Sequence, residues 1–592
     1  MTRKLALLLL FVAAPLVVSA GTIYVSPKGN DQADGSQQSP LRTPHAALKM
    51  AREWRRIGDP RIEGGIEIRF QEGIYTLDRP LYIRPEDSGT ADSPTTLRAE
   101  EGQEVVFSGG TPLASFRRAD GYWVAEAPRI HGRPLLVREL WGGTLRRATQ
   151  FGAEEMARMI AFDPATESIT IPRPAIEGLE QAEGLEMLVH QRWAVAILRI
   201  KAIRYEGEQA VVTFLNPESY LEFAHPWPQP VIDGERGNSS FMLMNAKALL
   251  DENDEWWQDY ATGRIYTLRK PRTTIYAPHL ERLMTIEGAR QKAVQHLRFE
   301  GIRFAHTAWN RPMEQGHVTL QGGFAFIDGY KLYEKEGFAW DPNLENQAWL
   351  ERPEAAISVR NASHITFEGC SFHELGATGL DLVSNVHHTS VRGCTFQRIG
   401  GTALLAGSFG EGATEVHIPF DRIGDPTDFC SHLHIEANRI YDVTCTDWGA
   451  VAIGCGYVRD TEIVDNHINK VNYSGICVGW GWTKHDTGMH RNRIARNRVE
   501  NYARQLYDAG GIYTLSNQPG SVIEQNIVSK PYPAPYATNH RGFCIYLDAA
   551  TDGYTIRNNW LEVEASIGFN NPGPAVRFEG TNGPETPLPQ QQ

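Results

Sequence analysis

The sequence predicts an all-β chain wound as a right-handed parallel β-helix, a solenoid with inserted β-rich modules, and three observations predict it. The first is a recurring six-residue pattern: an apolar residue, two others, a residue that is usually Cys or Asn, one other, and an apolar residue. It starts at Phe299, Phe367, Val391, Ile435, Ile463, Ile494, Ile523 and Ile556. Its fourth place is held by Ile302, Cys370, Cys394, Asn438, Asn466, Asn497, Asn526 and Asn559. The second is a short strand with a leading glycine after most copies, at Gly379, Gly449, Gly475, Gly511 and Gly542. The third is the spacing. Cys370 and Cys394 lie 24 residues apart, Asn438 follows after 44, and later steps are 28, 31, 29 and 33. Short strands at that period cannot bury a face alone, so successive turns stack and share one core. A leucine-rich repeat would place Leu at fixed positions, and a propeller would need a longer four-strand unit. An Asn at one repeated place suits a bend in which the side chain hydrogen-bonds to the turns above and below. Asn438, Asn466, Asn497 and Asn526 are therefore expected in one column.

Along the chain, residues 1–20 read as a signal peptide. Two cationic residues precede an apolar run from Leu5 to Val18, and Ser19-Ala20 offers a small-residue cleavage site. The run is short for a membrane span, so export to the periplasm or outside the cell is expected, with no membrane attachment after cleavage. Residues 21–111 read as an N-terminal cap and the first turns. Thr22 to Ser26 alternate as a strand, and Thr43-Pro44 supplies an N-cap and first-turn proline for a helix to about Arg55, its Ala46, Leu48 and Ala51 covering the open end of the solenoid. Residues 112–290 lose the repeat and read as inserted β-rich modules, and 306–353 form an irregular aromatic stretch of a length that usually serves function. The main solenoid is expected over 291–575, and 576–592 as a disordered Pro/Gln tail.

The 592 residues carry a formal charge of −13 and a pI near 5.8. With no basic stripe, nucleic acid is excluded as a partner. The seven cysteines are odd in number, none sits in a CxxC pair, and metal-ligand spacing is absent. They read as small buried apolar side chains, with an unassigned disulfide as the other reading. No cofactor and no metal is expected.

Loop length points to the chemistry. From the Cys or Asn position to the next glycine, plain turns take nine residues, as from Cys370 to Gly379. Asn497 to Gly511 takes fourteen and Asn526 to Gly542 sixteen. Long loops on consecutive turns make a rim that can grip a polymer. Two carboxylates lie there, Asp508 and Asp548, one enlarged turn apart. Glycoside hydrolysis needs such a pair flanking the glycosidic bond, one to protonate the leaving oxygen and one to attack or to activate water. In an extended loop Asp508 and Asp548 would be far apart, so the loop must fold back for them to cooperate. Trp448, Trp480, Trp482, Tyr507, Tyr513 and Tyr546 crowd the same turns as candidate stacking surfaces for sugar rings, beside core packing as the other use of such side chains. His485 and His540 lie on loops as candidate polar contacts.

The run from Tyr507 to Leu515, followed by Gln518-Pro519-Gly520 and by Ile545 to Asp548, resembles glycoside hydrolase family 141. The run from His373 to Leu380 is similar to the same family's solenoid. The resemblance covers residues 360–560 well and the rest loosely. It implies α-L-fucosidase activity on a complex pectic or fucan-type polysaccharide, with xylanase activity as the family's other expectation. It further implies that Asp508 and Asp548 are the two catalytic acids, with retention of configuration. Two other readings stand beside it. A polysaccharide lyase on the same solenoid would need an acidic sugar, a Lys or Arg base and often Ca²⁺. A non-catalytic adhesion solenoid would need no carboxylate pair.

Overall fold

A computed structural model describes residues 20–150, 155–180, 182–224, 228–234, 237–319, 326–329, 349–409, 415–416, 429–537, 542–562 and 567–581. Residues 1–19 of the expected signal peptide, 320–325 and 330–348 of the irregular stretch, 582–592 of the expected tail and His540 lie outside these residues.

The chain winds as three stacks of parallel strands, in the right-handed β-helix class. One stack runs through Met284–Glu287, Leu404–Ala406, Ile453–Cys455, Ile476–Val478, Ala509–Thr514, Gly542–Leu547 and Ile567–Phe569. A second starts at Gly21–Val25 and Ile66–Phe70 and ends at Arg577–Glu579. The third runs from Gly73–Thr76 to Trp560–Leu561. Alternate side chains fill the bore, where Phe299, Phe304, Phe367, Phe372 and Phe396 are fully buried and stack from turn to turn, Phe372 on Phe396 at 4.5 Å. The last strand pair places residues 577–579 in the solenoid, so the expected tail from 576 begins too early. A strand of Arg, Phe and Glu with no Asn mark had hidden it.

The asparagines form the expected column. The Nδ2 of Asn438 donates to Oδ1 of Asn466 at 2.9 Å, and Asn466, Asn497 and Asn526 repeat the bond to Asn497, Asn526 and Asn559 at 2.9–3.0 Å. Each Nδ2 also donates to a main-chain carbonyl, as Asn497 does to Ile463 at 2.8 Å. The residue before each member takes the left-handed backbone, Ala437, Asp465, Arg496 and Gln525 at φ 54 to 58°. Such a bend costs a non-glycine residue about 1 kcal/mol, and the side-chain column that follows offsets it. Cys370 and Cys394 head the column, Cys394 donating its N–H to Asn438 Oδ1 at 2.9 Å. All seven cysteines are free thiols, six of them buried.

At the N-terminus the helix Pro44–Ile57 is capped by Thr43, whose side chain accepts the Ala46 N–H at 3.2 Å. It closes the bore with Ala47, Leu48, Ala51 and Trp54. Ala46 is only half-buried, so the covering face lies one residue further round than expected.

The insertion leaves and re-enters through a narrow neck in which Gly110–Pro112 pairs antiparallel with Tyr276–Pro278. It therefore ends near 278, before the expected 290. Met284–Glu287 already pairs within the solenoid but lacks the Cys/Asn mark. The insertion holds a five-stranded sheet and a seven-stranded antiparallel sheet. The hairpin Glu186–Gln191/Ala194–Glu206 of the latter runs onto the solenoid, where Ile197 and His317 exchange main-chain bonds at 2.8 and 2.9 Å.

On another corner, a second column escaped the sequence reading. His296, His364, His388 and His432 all take left-handed backbone, and their rings stack at 4.6, 5.1 and 4.6 Å. Burial, with the neighbouring imidazoles adding to it for His364 and His388, holds His296, His364 and His388 below the ordinary histidine value. The folded state thus favours neutral rings, while the unfolded chain titrates near about 6.5. The stability this column contributes is complete above that pH and is lost as pH falls through it toward the folded values. The melting temperature is expected to drop between about pH 7 and pH 5. His364→Asn, which tolerates the left-handed backbone and does not titrate, should make that slope shallower. An unchanged slope would show that the stack is not the acid-sensitive element.

Candidate active site

The strands Ala509–Thr514 and Gly542–Leu547 lie side by side in register, Tyr513 against Tyr546 and Thr514 against Leu547. Ile512 and Ile545 turn into the bore, and so Tyr513 and Tyr546 face outward from it. Both tyrosines are nonetheless buried, their rings edge to face at 5.2 Å.

The register puts Asp508 and Asp548 at opposite ends of this strand pair, and the backbone brings them back. At Gly510 the chain bends so sharply that a Cβ there would lie 2.8 Å from the Ile512 carbonyl oxygen and 3.0 Å from Cβ of Tyr546. Only glycine fits such an approach. Asp508 itself takes the left-handed backbone at φ 60°. Folded back in this way, its Oδ1 accepts the Tyr546 hydroxyl at 3.1 Å, and its main-chain carbonyl accepts the Tyr473 hydroxyl at 3.1 Å. At the other end the Tyr513 hydroxyl donates to Oδ2 of Asp548, and Asn570 Nδ2 donates to Oδ1 at 2.7 Å. The two carboxyls are thus joined by a pair of touching tyrosines, each of which binds one of them.

Burial dominates at Asp548 and holds its carboxyl above the ordinary aspartate value, with the bonds from Tyr513 and Asn570 pulling the other way. Burial also pushes the Tyr473 and Tyr513 hydroxyls well up, the nearby Asp508 and Asp548 adding to it. The tyrosines therefore stay protonated and act as donors. A carboxyl with a raised pKa beside a second, hydrogen-bonded carboxyl is the arrangement by which one fold sets acid and nucleophile apart.

The other sequence candidates separate into two groups. Tyr513 and Tyr546 bind the carboxyls through their hydroxyls, while Tyr507 is buried with its ring nearly parallel to His190 at 6.3 Å. Trp480 is fully buried and packs edge to face on Phe409 and Trp482, at 4.8 and 4.6 Å. It belongs to the core and offers no face to a sugar, because a tryptophan pair at this spacing fills the turn between strands. Trp482 is half-buried beside it, and His485 is exposed on the following loop. Trp448 lines a cavity of about 260 Å³ between insertion and solenoid together with Trp141 and Trp256. Two residues that hydrogen-bond to these aspartates were missed. Tyr473 stands one turn before Asp508. Asn570 lies within the expected solenoid, in a last turn beyond the final repeat copy at Ile556 to Leu561, and carries no pattern of its own. Stacking Leu547 on Phe569 would have found it, since that register sets Asp548 against Asn570.

The comparisons bear on the family and the fold. Residues 121–270 match the model of the GH141 insertion domain, and residues 343–561 match that of the right-handed β-helix region. A solved structure described as a glycoside hydrolase is 39% identical, covering 96% of this chain and 97% of its own, with a TM-score of 0.89. Among curated proteins, pectate lyase PEL9 of Emericella nidulans is 36% identical over 117 residues, 19% of this chain and 25% of its own. The uncharacterized protein YwoF of Bacillus subtilis is 36% identical over 94 residues, 15% of this chain and 16% of its own. The chain thus spans a quarter or less of the curated relatives it matches. The solved glycoside hydrolase matches from end to end, and the match to the insertion model falls on the module between the neck strands. This chain belongs to glycoside hydrolase family 141.

Proposed function

We propose that the protein is an exported α-L-fucosidase that releases fucose from a complex pectic or fucan-type polysaccharide by a two-carboxylate mechanism. One observation carries the reading: Asp508 and Asp548, on neighbouring turns, converge through the Tyr546–Tyr513 pair. Asp548, whose pKa burial raises, gives its proton to the leaving glycosidic oxygen. Asp508 attacks the anomeric carbon, and Asp548 then deprotonates the water that hydrolyses the glycosyl-enzyme, with net retention. Tyr473 and Tyr546 hold Asp508 from its backbone and its carboxyl. Sugar-facing aromatic contacts are assigned to Trp482 and His485 at the rim.

Product analysis on fucosylated pectins, sulfated fucans and xylans tests the substrate. Free fucose supports the proposal, xylo-oligosaccharides would move the activity to xylan, and an unsaturated, ultraviolet-absorbing sugar would make the protein a lyase. Nuclear magnetic resonance of the first-formed sugar tests the stereochemistry, and β-fucose from an α-linked substrate would show inversion.

The acid role of Asp548 also sets a pH prediction. The alkaline limb of kcat/KM reports the acid's pKa in the free enzyme. Asn570 stabilises the carboxylate, so Asn570→Ala should leave the proton more tightly held and move that limb to higher pH. A limb that stays in place or moves down would assign the acid elsewhere.

A further inference from the structure

The insertion touches the solenoid where its hairpin Glu186–Gln191/Ala194–Glu206 ends in the two-residue turn Arg192-Trp193. This tip is seated on the site loops. A Cβ added to Gly449 would lie 3.3 Å from the Trp193 carbonyl oxygen and 3.4 Å from Cα of Ala194. Two turns further on, the Tyr507 N–H donates to the Arg192 carbonyl at 3.2 Å. His190, fully buried, places Nε2 at 2.8 Å from the Gln505 carbonyl. A carbonyl only accepts, so Nε2 carries the proton there. The His190 ring lies nearly parallel to Tyr507 at 6.3 Å and edge-on to Tyr536 at 6.4 Å, and the Arg158 guanidinium covers Tyr536 at 5.5 Å. From beneath, the Asn472 carbonyl of the solenoid accepts the N–H groups of both Gln505 and Leu506 at 3.0 Å. Residues 505–507 are therefore clamped between the two modules immediately before Asp508.

We infer that the insertion is a positioning element for the active site, and that His190 at the tip of its hairpin sets the backbone from which Asp508 projects. This rests on the two-carboxylate reading above. Asp508 keeps a left-handed backbone that costs a non-glycine residue energy and that persists only when its surroundings over-determine it. Its carboxyl must also meet Tyr546 across a strand register that would otherwise carry it away. The Gln505 and Tyr507 bonds fix the three preceding residues from the side that the solenoid cannot reach. The inference also accounts for the long loops. The fourteen- and sixteen-residue connections carry Tyr507 and Tyr536 up to His190 on the insertion. Burial lowers the His190 pKa to about 4, so the ring stays neutral and its single donor stays committed to Gln505 through the neutral range.

The test compares His190→Phe, which keeps the ring and deletes the donor, with His190→Gln, whose amide restores it. Met187→Ala, a buried change in the same hairpin remote from the tip, serves as a control for lost stability. At a temperature where every variant is folded, His190→Phe should lower kcat about tenfold with KM nearly constant, since small misplacements of a reacting group cost one to two orders of magnitude. His190→Gln should recover most of the loss, and Met187→Ala should melt earlier with unchanged kcat. Hydrogen exchange over 505–509 gives a readout free of substrate: faster in His190→Phe and restored in His190→Gln. Should His190→Phe not fold, His190→Asn, whose amide is too short to reach Gln505, takes its place. Wild-type kcat and exchange in the donor-less variant, alongside an inactive Asp508→Asn, would overturn the positioning role and leave the carboxylate reading intact. An active Asp508→Asn would remove the carboxylate reading itself.

Discussion

Asp508→Asn and Asp548→Asn are each expected to lower turnover by about 10²–10⁴-fold or more while the protein stays folded. An amide has the shape of the carboxyl and still accepts hydrogen bonds through its oxygen, but it neither attacks as an anion nor delivers a proton at neutral pH. The folded state should tolerate both changes. Asparagine is among the residues best suited to the left-handed backbone that Asp508 adopts. At Asp548 the amide removes a buried ionisable group, and Asn570 can turn its own amide to pair with it. Melting temperature and far-ultraviolet circular dichroism would confirm the fold, and initial rates on an aryl α-L-fucoside would measure the loss. Retention of more than roughly a tenth of the wild-type rate by either variant would make that aspartate structural.

The second large effect lies in the asparagine column. Asn497→Ala removes the Oδ1 that accepts Asn466 N–H at 3.0 Å and Asn466 Nδ2 at 2.9 Å. It also removes the Nδ2 that satisfies the Ile463 carbonyl. All of these groups are buried, and each orphaned one costs about 1–3 kcal/mol, so a loss on the order of 3–6 kcal/mol is expected. In a solenoid each turn answers mainly to its neighbours. The damage should therefore appear as accelerated hydrogen exchange over residues 463–528, with the N-terminal turns spared. Asp508 lies within those turns, so activity should be lost at a lower temperature than the global melt. A denaturation midpoint shift equivalent to less than about 1 kcal/mol would mean that water or a relaxed backbone takes over the column's bonds.

Some elements could be read from the residues because they repeat. The bend position is satisfied by one side chain per turn, so Asn438, Asn466, Asn497 and Asn526 recur at countable intervals. The same logic exposes the apolar pairs on either side. The histidine column repeats as regularly in space, but its members are 68, 24 and 44 residues apart across uneven insertions. A surface corner tolerates many residue types, so no apolar pattern marks it. The ends of modules were read late or early for a related reason. Met284–Glu287 and Arg577–Glu579 join the solenoid by main-chain pairing without the Cys/Asn mark, and main-chain bonding leaves no residue signature, although Met284 and Ile286 also enter the core.

For the site, Asp508, Asp548 and the tyrosines between them could be found because long loops interrupt a short period, and because the run from Tyr507 to Leu515 resembles that of a known family. Their meeting could not. In sequence terms they sit at opposite ends of a strand pair. The fold-back depends on a glycine bend at Gly510, a left-handed Asp508 and two hydroxyls reaching from Tyr473 and Tyr546. The hold of the insertion on residues 505–507 was also out of reach, because His190 lies 315 residues from the carbonyl it binds. The sequence by itself determined the solenoid, its period and core, and the turns that carry the carboxylates, since these follow from local patterns that recur. Only the tertiary structure decided which carboxyl is the more deeply buried, what positions the other, and which tryptophan faces the core. Those properties arise from desolvation and from contacts between segments distant in the chain, and neither is written into a local pattern of residues.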